Sequence, residues 1–283
     1  MAGRRLVSTG VVFVDLSGTL HIGSQAVPGC AAALARLCSL PSNLIVRFLT
    51  NTTKESIRCL HERLQSLDLQ ISRDEIFTSL LAAKEYLQAH RLQRPLFLLA
   101  PEALEDFQDV LPSEPLSPDS DLPPDAVVVG LAPSEFHYDR LNQAFRLVQS
   151  GQAELVAIHK ARYYQTPEGL SLGPGPFVTA LEYATDRRAT VLGKPELAFF
   201  QSALRRLPLP IASEDLQSCS FMIGDDVRDD IDGAQTAGLK GILVQTGKYR
   251  PGDEGKISPP PWAVVPDFPA AVERIADYCA ERL

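Results

Sequence analysis

The feature that most constrains this chain is a series of short apolar runs, separated by helix-like stretches, that stop on polar, chemically capable residues. The run VVFVDL (Val11–Leu16) carries Asp15, LIVRFLT (Leu44–Thr50) leads into Asn51, TVLGK (Thr190–Lys194) ends on Lys194, and CSFMIGDD (Cys219–Asp226) ends on Asp225 and Asp226. Runs this short suit buried strands better than helices. Strands alternating with helices specify an α/β fold around a Rossmann-like parallel sheet. In open sheets of this kind ligands bind beyond the carboxyl ends of the strands. The polar endings should therefore meet at one edge.

Further segments fill in the expected organisation. A helix should follow Pro28-Gly29, and another should run from about Lys54 to Leu67. Ser72 and Glu75 have capping-box spacing ahead of a further helical segment. The runs Pro95–Ala100, Ala126–Leu131 and Leu155–Lys160 read as strands of a second unit, with a Pro/Ser/Asp-rich loop at Pro112–Asp125 inside it. Those strands lack loaded ends, as an inserted domain would. GILVQTG (Gly241–Gly247) is a further strand, Pro259–Pro261 a break, and Phe268–Leu283 a closing helix. The division expected is a catalytic core of residues 1–79 and 178–283, with an insert of residues 80–177.

Composition narrows the function classes. With 27 basic and 35 acidic residues the net charge is −8, which argues against a nucleic-acid binder or a polybasic membrane anchor. No apolar stretch approaches the roughly 18–20 residues of a membrane span, and MAGRRLVSTG lacks the apolar core of a signal peptide. The five cysteines, Cys30, Cys38, Cys59, Cys219 and Cys279, are scattered without a C-x-x-C pair. That disfavours a disulfide framework or a zinc site and suits a reducing, cytoplasmic location.

Each loaded ending has a plain reading beside a chemical one. Asp15, in DLSGTL, is either a turn aspartate or a carboxylate able to hold a hard cation and attack phosphorus. Thr50 and Asn51 either cap a helix or donate to phosphoryl oxygens. Lys194 is either a solvated loop lysine or a charge neutraliser. The segment GDDVRDDIDGA (Gly224–Ala234) places five acids within eight residues directly after an apolar strand. That position suits a divalent-ion site with oxygen ligands, although the spacing is not that of an EF-hand. The Gly193-Lys194 pair lacks the upstream glycine of a P-loop, and no G-x-G-x-x-G follows a strand.

Taken in order, DLSGTL, FLTNTT, VLGKP and GDDVRDD resemble the four motifs of the haloacid dehalogenase-like hydrolase superfamily. The long gap between the second and third is where members carry an inserted C2-type cap. The resemblance implies a Mg²⁺-dependent phosphatase acting on a phosphoric monoester, pyrophosphate or phosphoramidate, hence on a phosphorylated small molecule or phospho-amino acid. By that resemblance Asp15 is the nucleophile and forms an aspartyl-phosphate. Mg²⁺ is held by Asp15, the Ser17 backbone carbonyl and Asp225, with Asp230 orienting its water shell. Thr50, Asn51 and Lys194 hold phosphoryl oxygens together with Asp15 and Ser17. The cap closes over the site, GPGPF (Gly173–Phe177) is the hinge back to the core, and dimerisation is an expectation from relatives.

One residue departs from the family pattern. Ser17 stands where a second aspartate usually serves as general acid and base, a function typically worth ~10²–10⁴-fold. This leaves three readings: an enzyme preferring undemanding leaving groups, an acid supplied from elsewhere, or a catalytically weak phosphate-binding interaction protein. A receiver-type signalling domain is a more distant alternative, contradicted by chain length and by a lysine preceding the aspartates. In HKARYY (His159–Tyr164), Lys160 and Arg162 either meet anions between Tyr163 and Tyr164 or snorkel from a strand end. Neither His21 nor His159 has a supported metal role.

Overall fold

The computed structural model describes residues 9–40, 43–110, 122–166 and 168–281. The chain opens with strand β1 (Thr9–Asp15), a small hairpin β2 (His21–Ile22) and β3 (Gln25–Ala26), helix α1 (Cys30–Cys38), β4 (Asn43–Thr50) and α2 (Ile57–Ser66). Next come β5 (Ile76–Thr78), α3 (Ser79–Ala89), β6 (Pro95–Leu98), β7 (Ala126–Val129), α4 (Tyr138–Gln149) and β8 (Glu154–Ala157). The hairpin β9 (Tyr163–Thr166) and β10 (Gly169–Leu172), α5 (Gly175–Thr185) and β11 (Thr190–Val191) follow. The chain closes with α6 (Leu197–Arg205), α7 (Ser213–Cys219), β12 (Phe221–Gly224), a π-helical turn Val227–Asp232, α8 (Gly233–Thr236), β13 (Lys240–Val244), β14 (Ala263–Val265) and α9 (Phe268–Ala280).

A six-stranded parallel sheet in the order β14-β13-β12-β1-β4-β5 forms the first unit. Its central strand shows why the apolar runs are continuous. Val12 and Val14 pack with Leu34, Leu37, Val272 and Ile275 of α1 and α9, while Val11 and Phe13 pack with Phe199, Phe200 and Ala203 of α6. A strand covered on both faces must be apolar at every position. The order reverses at β1: later strands lie on both sides of it. The crevice that opens at such a point is where doubly wound sheets bind ligands.

A four-stranded parallel sheet, β11-β8-β7-β6, forms the second unit. Helices α4 and α5 cover one face, and α3 with the 3₁₀ segment Pro101–Phe107 covers the other. The seam between the units is polar and well bonded. Glu105 accepts from Ser56 Oγ at 2.9 Å and from Arg58 Nε at 2.8 Å, and Asp106 accepts from the Ile57 amide at 3.0 Å. The second unit thus supplies carboxylates to the amino end of α2, where unpaired N–H groups favour negative charge.

Several sequence expectations shift. The strand at Thr190–Lys194 shortens to Thr190–Val191 and joins the second sheet beside β8. Val178 and Leu181 of α5 also pack there. Gly173–Phe177 leads into α5, which packs on the second sheet, and the first element after β11 that packs on the six-stranded sheet is α6. Sequence could not separate the two sheets because both are parallel and apolar. Glu75 does reach back to the Ser72 amide at 2.9 Å, but only a 3₁₀ turn (Arg73–Glu75) follows before β5. Most of the loop expected at Pro112–Asp125, the first eight residues and the end of the closing helix lie outside the described residues.

Candidate active site

The carboxyl ends of β1, β4 and β12 and the return from β11 converge on a cavity of about 410 Å³. Asp15, Ser17, Thr50, Asn51, Lys194, Asp225 and Asp230 all line it. Asp15 is the last residue of β1 and is buried. Lys194 Nζ donates to its Oδ1 at 2.6 Å, and Thr19 Oγ1 donates to its Oδ2 at 3.2 Å. Lys194 is only 2% exposed, and its Nζ also reaches the Leu49 carbonyl at 3.1 Å and lies 2.6 Å from Asp230 Oδ1. Burial alone would lower the Lys194 pKa, but the carboxylates of Asp15 and Asp230 outweigh it and hold the ammonium charged.

The acidic loop after β12 turns as a single π-helical turn, a form often found at functional sites. Asp226 caps it, accepting from the amides of Arg228 at 2.9 Å and Asp229 at 3.0 Å. Asp230 folds back so that its Oδ2 accepts from the Asp226 amide at 3.0 Å. Burial raises the carboxyls of Asp225, Asp229 and Asp230, to about 8 for Asp229 and about 6 for Asp230. Asp226 is only partly buried, and although desolvation alone would raise it, Lys248 and the two cap amides bring it down to about 2. Two glycines permit this crowding. Gly18 (φ 98°) and Gly247 (φ 54°) approach Asp225 so closely that a Cβ on either would fall 2.1 Å and 2.0 Å from Asp225 Oδ2.

Carboxylate oxygens of Asp15, Asp225 and Asp230 lie within 4.8 Å of one another, all buried. Asp225 Oδ2 is bonded by the Lys248 amide at 2.6 Å, whereas Asp225 Oδ1 has no hydrogen-bond partner. An orphaned buried carboxylate oxygen inside a cluster that repels itself fits a hard divalent cation with oxygen ligands.

The remaining expected residues differ in what they contact. Ser17 is exposed at the cavity wall, while Thr50 is buried and its Oγ1 accepts from the Thr52 amide at 3.2 Å. The Asn51 side chain is engaged by backbone: Nδ2 donates to the Lys194 carbonyl at 3.0 Å, and Oδ1 accepts from the Lys194 amide at 3.0 Å. Lys160 does not line the cavity and pairs with Glu182 at 2.5 Å. Arg162 is exposed, and Tyr163 and Tyr164 form part of the wall, with Lys54 Nζ 3.6 Å from the Tyr164 ring centre. His159 is a packed side chain held against Thr53 Oγ1 at 3.3 Å, and burial drives its pKa down to about 3. His21 is buried against Arg63, and burial followed by the Arg63 charge lowers it to about 4.

Sequence reasoning missed Lys248. Its Nζ pairs with Asp226 Oδ2 at 2.8 Å and its amide orients Asp225. The signal was present, since Lys248 follows the strand-end sequence Gln245-Thr246-Gly247 just as Lys194 follows Gly193.

Comparison with known proteins identifies the family. The family profile described as haloacid dehalogenase-like hydrolase matches residues 12–110, and one described as HAD-hydrolase-like matches residues 191–271. The chain belongs to the haloacid dehalogenase-like hydrolase family. Among its relatives is the rat haloacid dehalogenase-like hydrolase domain-containing protein 2, 53% identical over 98% of this chain and 99% of the relative. The zebrafish phospholysine phosphohistidine inorganic pyrophosphate phosphatase is 35% identical over 95% of both chains. Among solved structures, a 4-nitrophenylphosphatase from Thermotoga maritima shares the fold at TM-score 0.80 and 23% identity, covering 94% of this chain and 97% of that one. A Mycobacterium tuberculosis glycerol phosphate phosphatase, determined with magnesium, is 26% identical at TM-score 0.75, covering 93% of this chain and 76% of that one. Among the described residues no helix is long and apolar enough to cross a membrane.

Proposed function

We propose that this protein is a Mg²⁺-dependent phosphatase working through an aspartyl-phosphate on Asp15, with an unassisted or substrate-assisted leaving group. The observation that carries this reading is the constellation at Asp15: a buried carboxylate at a strand end, held by Lys194, beside the orphaned Asp225 Oδ1. Asp15 and Asp225 would hold the ion with the Ser17 carbonyl, and Asp230 would order its surroundings. The ion, when bound, supplies charge neutralisation for the phosphoryl oxygens.

Asp15 attacks phosphorus, and the bond to the leaving group breaks as the Asp15–phosphorus bond forms. Water then attacks the phosphorus of the aspartyl-phosphate, releasing inorganic phosphate and restoring Asp15. Lys194 aligns the nucleophile and neutralises charge in both steps, which is most of what phosphoryl transfer needs from a protein. Thr50 offers its hydroxyl and amide at the adjoining strand end. Because Ser17 cannot protonate an alkoxide as a carboxylic acid does, the site favours leaving groups that depart readily, such as phosphate from pyrophosphate, a protonated amine from a phosphoramidate, or a phenolate. The name of the zebrafish relative, a phospholysine phosphohistidine inorganic pyrophosphate phosphatase, supports the same leaving-group preference.

Acid-quenching the protein during turnover of 4-nitrophenyl phosphate and mapping peptides by mass spectrometry tests the covalent step. A phosphoryl adduct on the peptide holding Asp15, lost in Asp15→Asn, is expected. Turnover with no adduct on that peptide would rule out Asp15 as the nucleophile.

A further inference from the structure

The segment that leaves β4 grips the second unit on alternate residues. Asn51 closes two reciprocal hydrogen bonds with the backbone of Lys194, each at 3.0 Å. Two residues on, Thr53 Oγ1 accepts from the Leu131 amide at 2.9 Å and lies 3.3 Å from His159 Nε2. The contact at Asn51 is close enough to dictate its neighbour: a Cβ on Gly193 would sit 2.4 Å from Asn51 Oδ1 and 2.7 Å from the Ile158 carbonyl. Lys194 has no strand of the first sheet to place it, because the strand before it, β11, belongs to the second sheet. Its ammonium nevertheless meets Asp15 Oδ1 at 2.6 Å inside the first unit.

We infer that Asn51 is a positioning residue for Lys194, and that its side chain binds this backbone instead of a phosphoryl oxygen. The inference rests on the phosphatase reading and revises one residue within it. The Asn51 carbonyl accepts from the Lys194 amide and its NH₂ donates to the Lys194 carbonyl, so one donor and one acceptor site are committed to this residue's backbone and the plane of the amide is fixed by it. The geometry is a two-point clamp: it fixes both the position and the direction of the Lys194 backbone, so the long side chain enters the carboxylate cluster from one angle. Misplacement of a catalytic group by about 1 Å can cost on the order of 10²-fold in rate, so the clamp should be felt in turnover although Asn51 touches no reacting atom.

A double-mutant cycle separates this role from its rivals, read by 4-nitrophenyl phosphate turnover, inorganic phosphate affinity and thermal unfolding of the full chain. Asn51→Ala should lower kcat roughly 10–100-fold. In a Lys194→Met background it should cost little further activity or phosphate affinity, because the group it positions is gone. Its effect on melting temperature should persist there, because the backbone it holds remains. Gly193→Ala, which wedges the clamp without altering either side chain, should reproduce the kcat loss, and it carries the test if Lys194→Met fails to fold. Equal further loss of phosphate affinity in both backgrounds would make Asn51 a direct phosphoryl ligand and overturn the inference. Lowered stability with unchanged kcat would make the clamp merely structural. A wild type that neither turns over nor binds phosphate removes the phosphatase reading first, and any role in it for Asn51.

Discussion

As the proposed nucleophile, Asp15 must be held firmly and still have electrons to give. Lys194 occupies Oδ1 and Thr19 occupies Oδ2, yet a carboxylate offers about four acceptor sites, so each oxygen keeps a further acceptor site beside the cavity that Asp15 lines. Lys194 also balances the acids around it: without the ammonium, buried Asp15 and Asp230 would face each other uncompensated. The missing group is the proton donor two residues on. Ser17 is exposed at the cavity wall, so a longer acidic side chain there meets no packing obstacle of the kind a buried site imposes. Ser17→Asp should raise turnover of an alkyl phosphate relative to 4-nitrophenyl phosphate, by up to ~10²-fold. Steady-state kinetics on the two substrates checks this, and an unchanged ratio would mean that leaving-group protonation does not limit the wild type.

Elements matter here chiefly through their ends. The residues that sequence reasoning placed at strand ends, Asp15, Thr50 and Asp225, stand at the ends of β1, β4 and β12 because an apolar run that stops on a polar residue marks where a buried strand leaves the sheet. The same rule misassigned Lys194, whose preceding strand lies in the other sheet, and it passed over Lys248, one strand end further on. β5 was invisible because three residues, Ile76–Thr78, show no periodicity. His159, beyond the end of β8, illustrates a consequence that only packing reveals. Its folded-state pKa of about 3 lies below the ordinary 6.5, from burial first and then from the charges of Lys248 and Lys194. Between those values the unfolded chain binds more protons, so the stability His159 contributes is complete above about pH 6.5 and declines as pH falls toward about 3. Raised carboxyls such as Asp229 act in the opposite sense, so the comparison must isolate the histidine. The melting temperature of wild type should fall more than that of His159→Asn between about pH 7.5 and about pH 4.5. Parallel curves would show that His159 is not held neutral by the fold.

The molecule as a whole is two parallel sheets sharing one cavity, with the chemistry drawn from the first and part of the wall from the second. The order of motifs was enough to bring Asp15, Thr50, Lys194 and the acidic loop together, since doubly wound topology leaves one crevice at the reversal beside β1. The seam was not legible, because it depends on pairings distant in sequence: Asn51 with Lys194, Thr53 with Leu131, Arg58 with Glu105. Nor was the extent of the second unit, because β11 has only two residues to declare its sheet. These long-range bonds tie the segment after β4 and the start of α2 to Leu131, Glu105 and the Lys194 backbone. The most direct test of the account is phosphate release from 4-nitrophenyl phosphate and pyrophosphate with and without Mg²⁺, comparing wild type with Asp15→Asn of equal thermal stability. The account predicts Mg²⁺-dependent release by wild type and none above background by Asp15→Asn. Equal release by both proteins, or undiminished release by wild type after chelation of divalent ions, would contradict it.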